Sequence, residues 1–175
     1  MKNTFNFNVQ LKMSHGVAMT LNFREILLSE IPTAIDVKQS EAKEDKHGTD
    51  WWVIREYNRP ISVDLKARSK DYKSDDLALE TWSVVEKKII GWTRDITKST
   101  DYILWFWEDT KKWCLIPFPL LCRVFCLNWE YWSEIYKTAQ QSTKNNTYLY
   151  HSECVFVPRV IVWNTIINHY SNGFN

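Results

Sequence analysis

The chain has 175 residues, of which 45% are hydrophobic and 25% are charged, and its 22 Lys and Arg residues nearly balance its 21 Asp and Glu residues. These values exclude a disordered, collagen-like or coiled-coil chain and predict one globular domain, residues 1–175, that is large enough to bury a core without staples. The net charge of +1 excludes a uniformly basic nucleic-acid-binding protein but permits a locally basic face.

The composition also indicates which cofactors are disfavoured and which cellular compartment is expected. Glycine occurs only 4 times, which disfavours the glycine-rich loops that bind a nucleotide cofactor. The opening residues 1–12 have no apolar core, and the apolar stretch 114–122 is broken by two prolines, so we expect neither an export signal nor a membrane partner. With four cysteines, too few for a disulfide scaffold, a cytoplasmic protein with reduced thiols is expected.

The first elements follow from hydrophobic periodicity. Alternating apolar residues over 5–11 predict a strand, and a period near 3.6 predicts a helix over 17–29. Pro32, a favourable first helical residue, predicts a second helix that ends before Gly48.

A mixed sheet is predicted for most of the remaining chain. The apolar run 101–107 is typical of a central strand covered on both faces. The fold class expected is therefore α/β (or α+β), a mixed central sheet flanked by helices. The other predicted elements are strands at 50–56 and 60–66 around a turn at 58–60, a charged connection at 67–76, strands at 77–85, 112–116 and 153–157, a helix from about 119 to 139, a loop at 142–147, and a helix or strand at 160–169.

Strand context singles out one acid-x-Lys triplet among the several that the chain contains. In the predicted strand 60–66, Asp64 and Lys66 lie on one face because strand side chains alternate with period two. Asp50 opens the preceding strand, and a hairpin can bring it beside Asp64. Two adjacent carboxylates repel unless a proton or cation intervenes. A hard divalent ion, Mg²⁺ or Mn²⁺, suits these carboxylates together with the backbone carbonyl of Leu65 and waters.

This arrangement resembles the PD-(D/E)XK nuclease superfamily. Asp50 matches the first acid, Asp64 and Lys66 match the (D/E)-x-K motif, and Thr49 replaces the usual proline. The stretch 48–72 also resembles the opening of phage and cyanobacterial members, and the similarity covers residues 41–107. The resemblance implies a restriction endonuclease-like fold with a catalytic core at about 32–107 and an elaboration at 108–175. It further implies Mg²⁺-dependent hydrolysis of phosphodiester bonds in DNA, as in restriction, repair or recombination.

The resemblance also suggests auxiliary residues. Glu80 would border the metal if strand 77–85 paired with 60–66, and one acid of the helix before Gly48 would complete the site. Basic residues near the motif would contact phosphates. The helix acids are Glu41 or Glu44, and the basic residues are Arg68, Lys70, Lys73 and Arg55.

Several alternatives remain open at this point. The three motif residues also fit an ion-paired group on a solvated strand face, or an inactive nuclease-fold subunit that only binds DNA. The 10 tryptophans fit a binding module whose rings stack on bases or sugars, although Trp105 and Trp107 are predicted to be buried. Superfamily members are commonly homodimers, and the sequence leaves that question open.

Overall fold

The structure, a computed structural model, describes residues 4–6, 23–41, 48–68, 75–144 and 148–171. Over these residues the chain has a mixed α/β fold with three α-helices and two five-stranded sheets. In chain order the elements are β1 (Thr4–Asn6), α1 (Phe23–Glu30), β2 (Ala34–Gln39), β3 (Trp51–Arg55), β4 (Asn58–Arg68), β5 (Asp76–Val84), β6 (Ile89–Ile90), β7 (Tyr102–Trp107), β8 (Trp113–Pro117), α2 (Phe118–Ile135), β9 (Thr138–Lys144), β10 (Leu149–Pro158) and α3 (Arg159–Ser171).

The chain forms two compact units. The first unit comprises Met13–Asp71 and Thr97–Pro119, and we call it the motif unit because it contains the acid-x-Lys motif. The second unit comprises Met1–Lys12, Tyr72–Ile96 and Leu120–Asn175. Each unit contains one of the two sheets.

The sheet of the motif unit has the strand order β2-β3-β4-β7-β8. All neighbours are antiparallel except β4 and β7, which are parallel, so the sheet is mixed. One face packs against α1 through Phe23, Leu27, Val53, Val63 and Phe106, all buried. The apolar run of β7 is buried throughout residues 103–107, which confirms the predicted central strand.

The sheet of the second unit has the order β1-β9-β10-β5-β6, with only β1 and β9 parallel. Val155 and Val157 of β10 lie opposite Leu79 and Leu77 of β5, and all four side chains are fully buried. The last element, left open between helix and strand, is the helix α3, two of whose residues are buried.

The helix predicted from Pro32 is wrong over residues 34–39, which form the edge strand β2, and residues 42–47 lie outside the described residues. The polar side chains of AIDVKQ lie at the edge of the sheet, and Val37 is its one buried residue. Hydrogen bonding to β3 fixes this conformation. A polar segment can be a strand here because it pairs on one side and has solvent on the other.

Smaller differences concern where elements begin and end. The hairpin turn lies at residues 56–57 rather than 58–60, and Tyr57 has a positive φ of 61°. Residues 142–144 are not a loop but the end of β9, because the polar chain there pairs with both β1 and β10. The helix predicted over 17–29 is found from residue 23 onward, and 7–22 lie outside the described residues.

Candidate metal-binding and catalytic site

Asp50 is fixed by backbone hydrogen bonds immediately before β3. Its N–H donates to the Val63 carbonyl at 3.0 Å, and its own carbonyl accepts the Ser40 N–H at 2.9 Å. Its side chain continues the pairing with β4, because Oδ2 accepts the Leu65 N–H at 2.7 Å. The Asp50 carboxyl is therefore held against β4 at a defined position.

Asp64 and Lys66 form an ion pair on one face of β4. Lys66 Nζ lies 2.7 Å from Asp64 Oδ1, and the two side chains are 31% (Lys66) and 4% (Asp64) exposed. Their neighbours in β7 are Ile103 and Trp105, which are both buried. Since these neighbours are apolar, Asp64 has little access to water, and the Lys66 amine supplies its counter-charge.

The two carboxyl groups are in direct contact. The pKa of Asp50 is raised from 3.8 to about 7, first because burial removes the group from water and then because the Asp64 carboxylate lies beside it. The Lys66 charge and the Leu65 N–H act in the opposite direction without cancelling this rise. When protonated, Asp50 donates a hydrogen bond to Asp64. The pair thus retains a proton near neutral pH, as expected for two close carboxylates.

The backbone adds a third oxygen on the same side. In a strand, the N–H and C=O of one residue point the same way. Because the Leu65 N–H points at Asp50, the Leu65 carbonyl points towards that side too. Two carboxyls and a carbonyl fit Mg²⁺, which often binds one or two carboxylates and keeps waters or substrate phosphates as its other ligands. Among the described residues, no three His, Cys, Asp or Glu side chains form a metal-binding group.

Asp101, which the sequence did not single out, fixes β4 two residues before Asp64. Its carboxylate accepts the N–H and the hydroxyl of Ser62 at 2.9 and 3.1 Å. The Arg59 guanidinium donates to both of its oxygens at 2.7 and 3.0 Å. Although burial opposes the change, these hydrogen bonds lower the pKa of Asp101 below 3.8. The only available signal was its position at the start of the apolar run 102–107.

The segment that leads into Asp50 contacts the segment that leads into β7. Gly48 has a φ of 88°, and its carbonyl accepts a hydrogen bond from the Thr100 hydroxyl. A Cβ atom on Gly48 would lie 2.7 Å from Thr100 Oγ1 and 2.9 Å from Lys98 Nζ. Glycine is therefore favoured by its backbone angle, whereas the Thr100 and Lys98 side chains beside it could shift to make room for a Cβ. Sequence periodicity carries no signal for Lys98 or Thr100.

Glu80 lies in the other unit, and the expected pairing of its strand with residues 60–66 is wrong. Its strand β5 pairs with β10 and β6 instead. The Glu80 carboxylate accepts the Trp92 N–H at 2.9 Å, and the Glu80 N–H donates to Thr93 Oγ1 at 3.0 Å. These bonds give Glu80 a local structural role, and its role as an auxiliary acid stays a prediction.

The segment expected to carry the helix acid is described only up to residue 41. Glu41 follows β2 as an exposed residue, so the helical position predicted for it is wrong. Among the described residues, the helix that precedes this sheet in the chain is α1, which has Glu25 in its first turn. Glu44 lies outside the described residues.

Two of the four predicted phosphate-contacting residues are described. Arg68, at the end of β4, shares the face of Asp64 and Lys66 by strand alternation and is half-buried. Arg55 ends β3, and its Nε donates to the Arg59 carbonyl at 3.0 Å across the hairpin turn. The other two, Lys70 and Lys73, lie outside the described residues.

Comparisons with protein-family models, with curated proteins and with solved structures each find no match to this chain. Among the described residues, no helix is both long and apolar enough to cross a membrane. The arrangement of Asp50, Asp64 and Lys66 is therefore the feature of this protein that bears most directly on its function.

Proposed function

We propose that this protein is a divalent-metal-dependent nuclease of the PD-(D/E)XK type that hydrolyses phosphodiester bonds in DNA. The observation that carries the proposal is the contact between the Asp50 and Asp64 carboxyls on adjacent segments of one mixed sheet, with Lys66 Nζ 2.7 Å from Asp64. An acid at the start of one strand and an acid-x-Lys motif on the next are the features that define the resemblance.

The electrostatics of the pair support a metal rather than a purely structural role. A structural ion pair needs one carboxylate for one lysine, whereas here a second carboxyl is buried beside the first and becomes a weak acid. Such an arrangement costs stability when both carboxyls ionise, so a cation that can replace the shared proton is favoured. Mg²⁺ or Mn²⁺ would supply that charge.

In this proposal Asp50, Asp64 and the Leu65 carbonyl hold the ion, which would polarise a phosphoryl oxygen and lower the pKa of a bound water. Lys66 orients the attacking water and stabilises the negative charge that develops on the phosphoryl oxygens. Water attacks phosphorus in line with the leaving 3′ oxygen, which leaves a 5′-phosphate and a 3′-hydroxyl. DNA as the substrate rests on the resemblance and on the basic side chains along β4.

The tryptophan-rich binding module has less support. Trp105 and Trp107 are each 1% exposed, as predicted. Trp82 and Trp129 meet edge to face at 5.8 Å, and the Arg94 guanidinium lies 4.8 and 3.9 Å from their ring centroids. These indoles are engaged in packing and cation–π contacts, which leaves less of their faces for stacking on a ligand.

The test is cleavage of plasmid, linear, single-stranded and branched DNA with Mg²⁺, Mn²⁺ or a chelator. We expect metal-dependent cleavage by the wild type and a rate loss of about 10²-fold or more in Lys66→Ala and Asp64→Asn. Lys38→Ala, which removes an exposed lysine from the edge strand β2, is the matched control and should cleave like the wild type.

Folding must be monitored because Lys66→Ala leaves Asp64 buried without its counter-charge, a change that costs roughly 3 kcal/mol. Lys66→Gln, which keeps a hydrogen-bond donor near Asp64, is the second variant. If the folded wild type cleaves no substrate yet binds DNA in a salt-sensitive way, the proposal fails in favour of an inactive DNA-binding subunit.

A further inference from the structure

Lys98 is a half-buried lysine that the proposed chemistry above does not use. In the part of the chain that the structure describes, no hydrogen bond or ion pair engages its amine. A lysine that is partly removed from water usually pairs with an anion. Its amine instead lies against the backbone of Gly48, in space that opens because Gly48 has no Cβ.

Hydrogen bonds place the neighbours of Lys98 on the face that bears the carboxylates. Ser62, Asp64 and Lys66 share one face of β4 by alternation. The Ser62 hydroxyl lies 2.8 Å from the Ser99 carbonyl oxygen and shares its one proton between this carbonyl and Asp101, so the segment 98–100 lies on that face. This segment also contacts Gly48, two residues before Asp50, through the Thr100 hydroxyl.

Lys66 and Lys98 differ in their ion pairing among the described residues. Lys66 is paired with Asp64 at 2.7 Å, so its charge is already directed at a carboxylate. Two ionised carboxylates, Lys66 and one divalent ion together carry a single positive charge, which neutralises one phosphodiester. Attack by hydroxide adds a second negative charge to the phosphoryl group, and a further cation is needed to balance it.

We propose that Lys98 is the phosphate-binding cation of this site and contacts a non-bridging oxygen of the phosphodiester. This inference rests on the proposed nuclease function and assigns the cation for the second negative charge, which Lys66 and the divalent ion together leave unbalanced. The ligand chemistry is a phosphate group, which could belong to a polynucleotide backbone or to free phosphate. The polynucleotide is the assignment made here, because the reaction proposed acts on its phosphodiester.

The experiment compares the wild type with Lys98→Ala, Lys98→Arg and the matched control Lys38→Ala. Calorimetry measures Ca²⁺ binding and then the binding of inorganic phosphate to the Ca²⁺-loaded protein, since Ca²⁺ also prefers oxygen ligands. Steady-state kinetics with Mg²⁺ measure kcat/KM on a DNA oligonucleotide, and the binding of the same oligonucleotide to the Ca²⁺-loaded protein is measured over a series of salt concentrations. Thermal unfolding verifies that each variant is folded.

For Lys98→Ala we expect Ca²⁺ affinity to stay within about twofold while kcat/KM falls about 10²-fold, since one transition-state contact is lost. Phosphate binding should weaken about tenfold or more, and the salt dependence of DNA binding should fall by about one phosphate contact. Lys98→Arg should retain most of the wild-type kcat/KM and phosphate affinity because it keeps the positive charge. Lys38→Ala should match the wild type.

The outcomes separate this inference from the proposed function. Cleavage and metal binding that persist unchanged in Lys98→Ala overturn the role of Lys98 and leave the nuclease intact. A wild type that does not cleave, but whose binding of phosphate and DNA depends on Lys98, refutes the nuclease and retains the phosphate site. If Lys98→Ala weakens only the binding of inorganic phosphate, Lys98 does not contact the DNA backbone. A wild type that binds neither inorganic phosphate nor DNA also overturns this contact.

Discussion

Replacing Asp50 with asparagine should stabilise the metal-free protein at alkaline pH. The folded-state pKa of Asp50 is about 7, against 3.8 for an ordinary aspartate. A carboxyl whose pKa is raised by folding stabilises the folded state fully when the pH is below its pKa in the unfolded chain. That stabilisation is lost as the pH rises through its pKa in the folded protein. The metal-free wild type should therefore lose stability between about pH 4 and pH 7.

The size of the effect follows from the shift. About three pKa units at 1.36 kcal/mol each amount to roughly 4 kcal/mol. The introduced asparagine would present an oxygen to the Leu65 N–H and an amide hydrogen to Asp64, so both contacts of the protonated carboxyl are kept. The variant should thus nearly equal the wild type near pH 4 and exceed it by roughly 4 kcal/mol above pH 8.

The assay is chemical unfolding with a chelator between pH 4 and pH 9, together with an NMR titration of the Asp50 carboxyl. Asp101→Asn is the matched control, because the pKa of Asp101 is lowered rather than raised. Adding Mg²⁺ at about ten times its Kd should stabilise the wild type by about 1.4 kcal/mol and the Asp50→Asn variant by much less. A stability difference that is independent of pH, or a variant less stable than the wild type at pH 8.5, would show that the buried Asp50 carboxyl does not carry a raised pKa.

Two further predictions concern residues that support the site and the second unit. Asp101→Asn should cost roughly 2 kcal/mol at neutral pH because charge-assisted bonds from Arg59 and Ser62 are weakened, and the difference from the wild type should shrink below about pH 4 as Asp101 is protonated. Urea unfolding at pH 3 and pH 7 measures this difference in stability. An equal loss of stability at both pH values would contradict the role given to the ionised Asp101 carboxylate. Gly91→Ala should destabilise the protein by roughly 3 kcal/mol, because its Cβ would lie 2.2 Å from the Glu80 carbonyl oxygen. A thermal melt tests this, and an unchanged melting temperature would show that the Gly91 backbone lies elsewhere.

Local patterns in the sequence were sufficient to predict the conformation and the buried side chains where a strand buries one face. In ISVDLK the alternation of apolar and polar residues places Asp64 and Lys66 side by side, and the structure pairs them at 2.7 Å. The strongly apolar run 101–107 indicated a covered strand, and residues 103–107 are all buried. Both features depend on side-chain period and burial, which a short segment of sequence carries by itself.

The same local patterns failed where non-local hydrogen bonds decide the conformation. Residues 34–39 are polar enough to suit a solvated helix, but pairing with β3 makes them an edge strand. Glu80 was expected beside β4, yet Leu77 and Leu79 pair with β10, so its strand belongs to the other sheet. Strand order depends on which chain segments meet in space, and composition does not encode that directly.

Asp64 and Lys66 could be assigned to one strand face from the sequence, because period-two alternation is a local property, and Asp50 could be assigned from its place at the start of the preceding strand. The electrostatic perturbation of Asp50, in contrast, depends on tertiary contacts. Contact between the Asp50 and Asp64 carboxyls, and the resulting rise in the Asp50 pKa to about 7, require burial and the register of β3 on β4. The placement of Lys98 against Gly48 likewise joins two segments that are distant in sequence, and the physical reason is their packing at the start of β3 and β7.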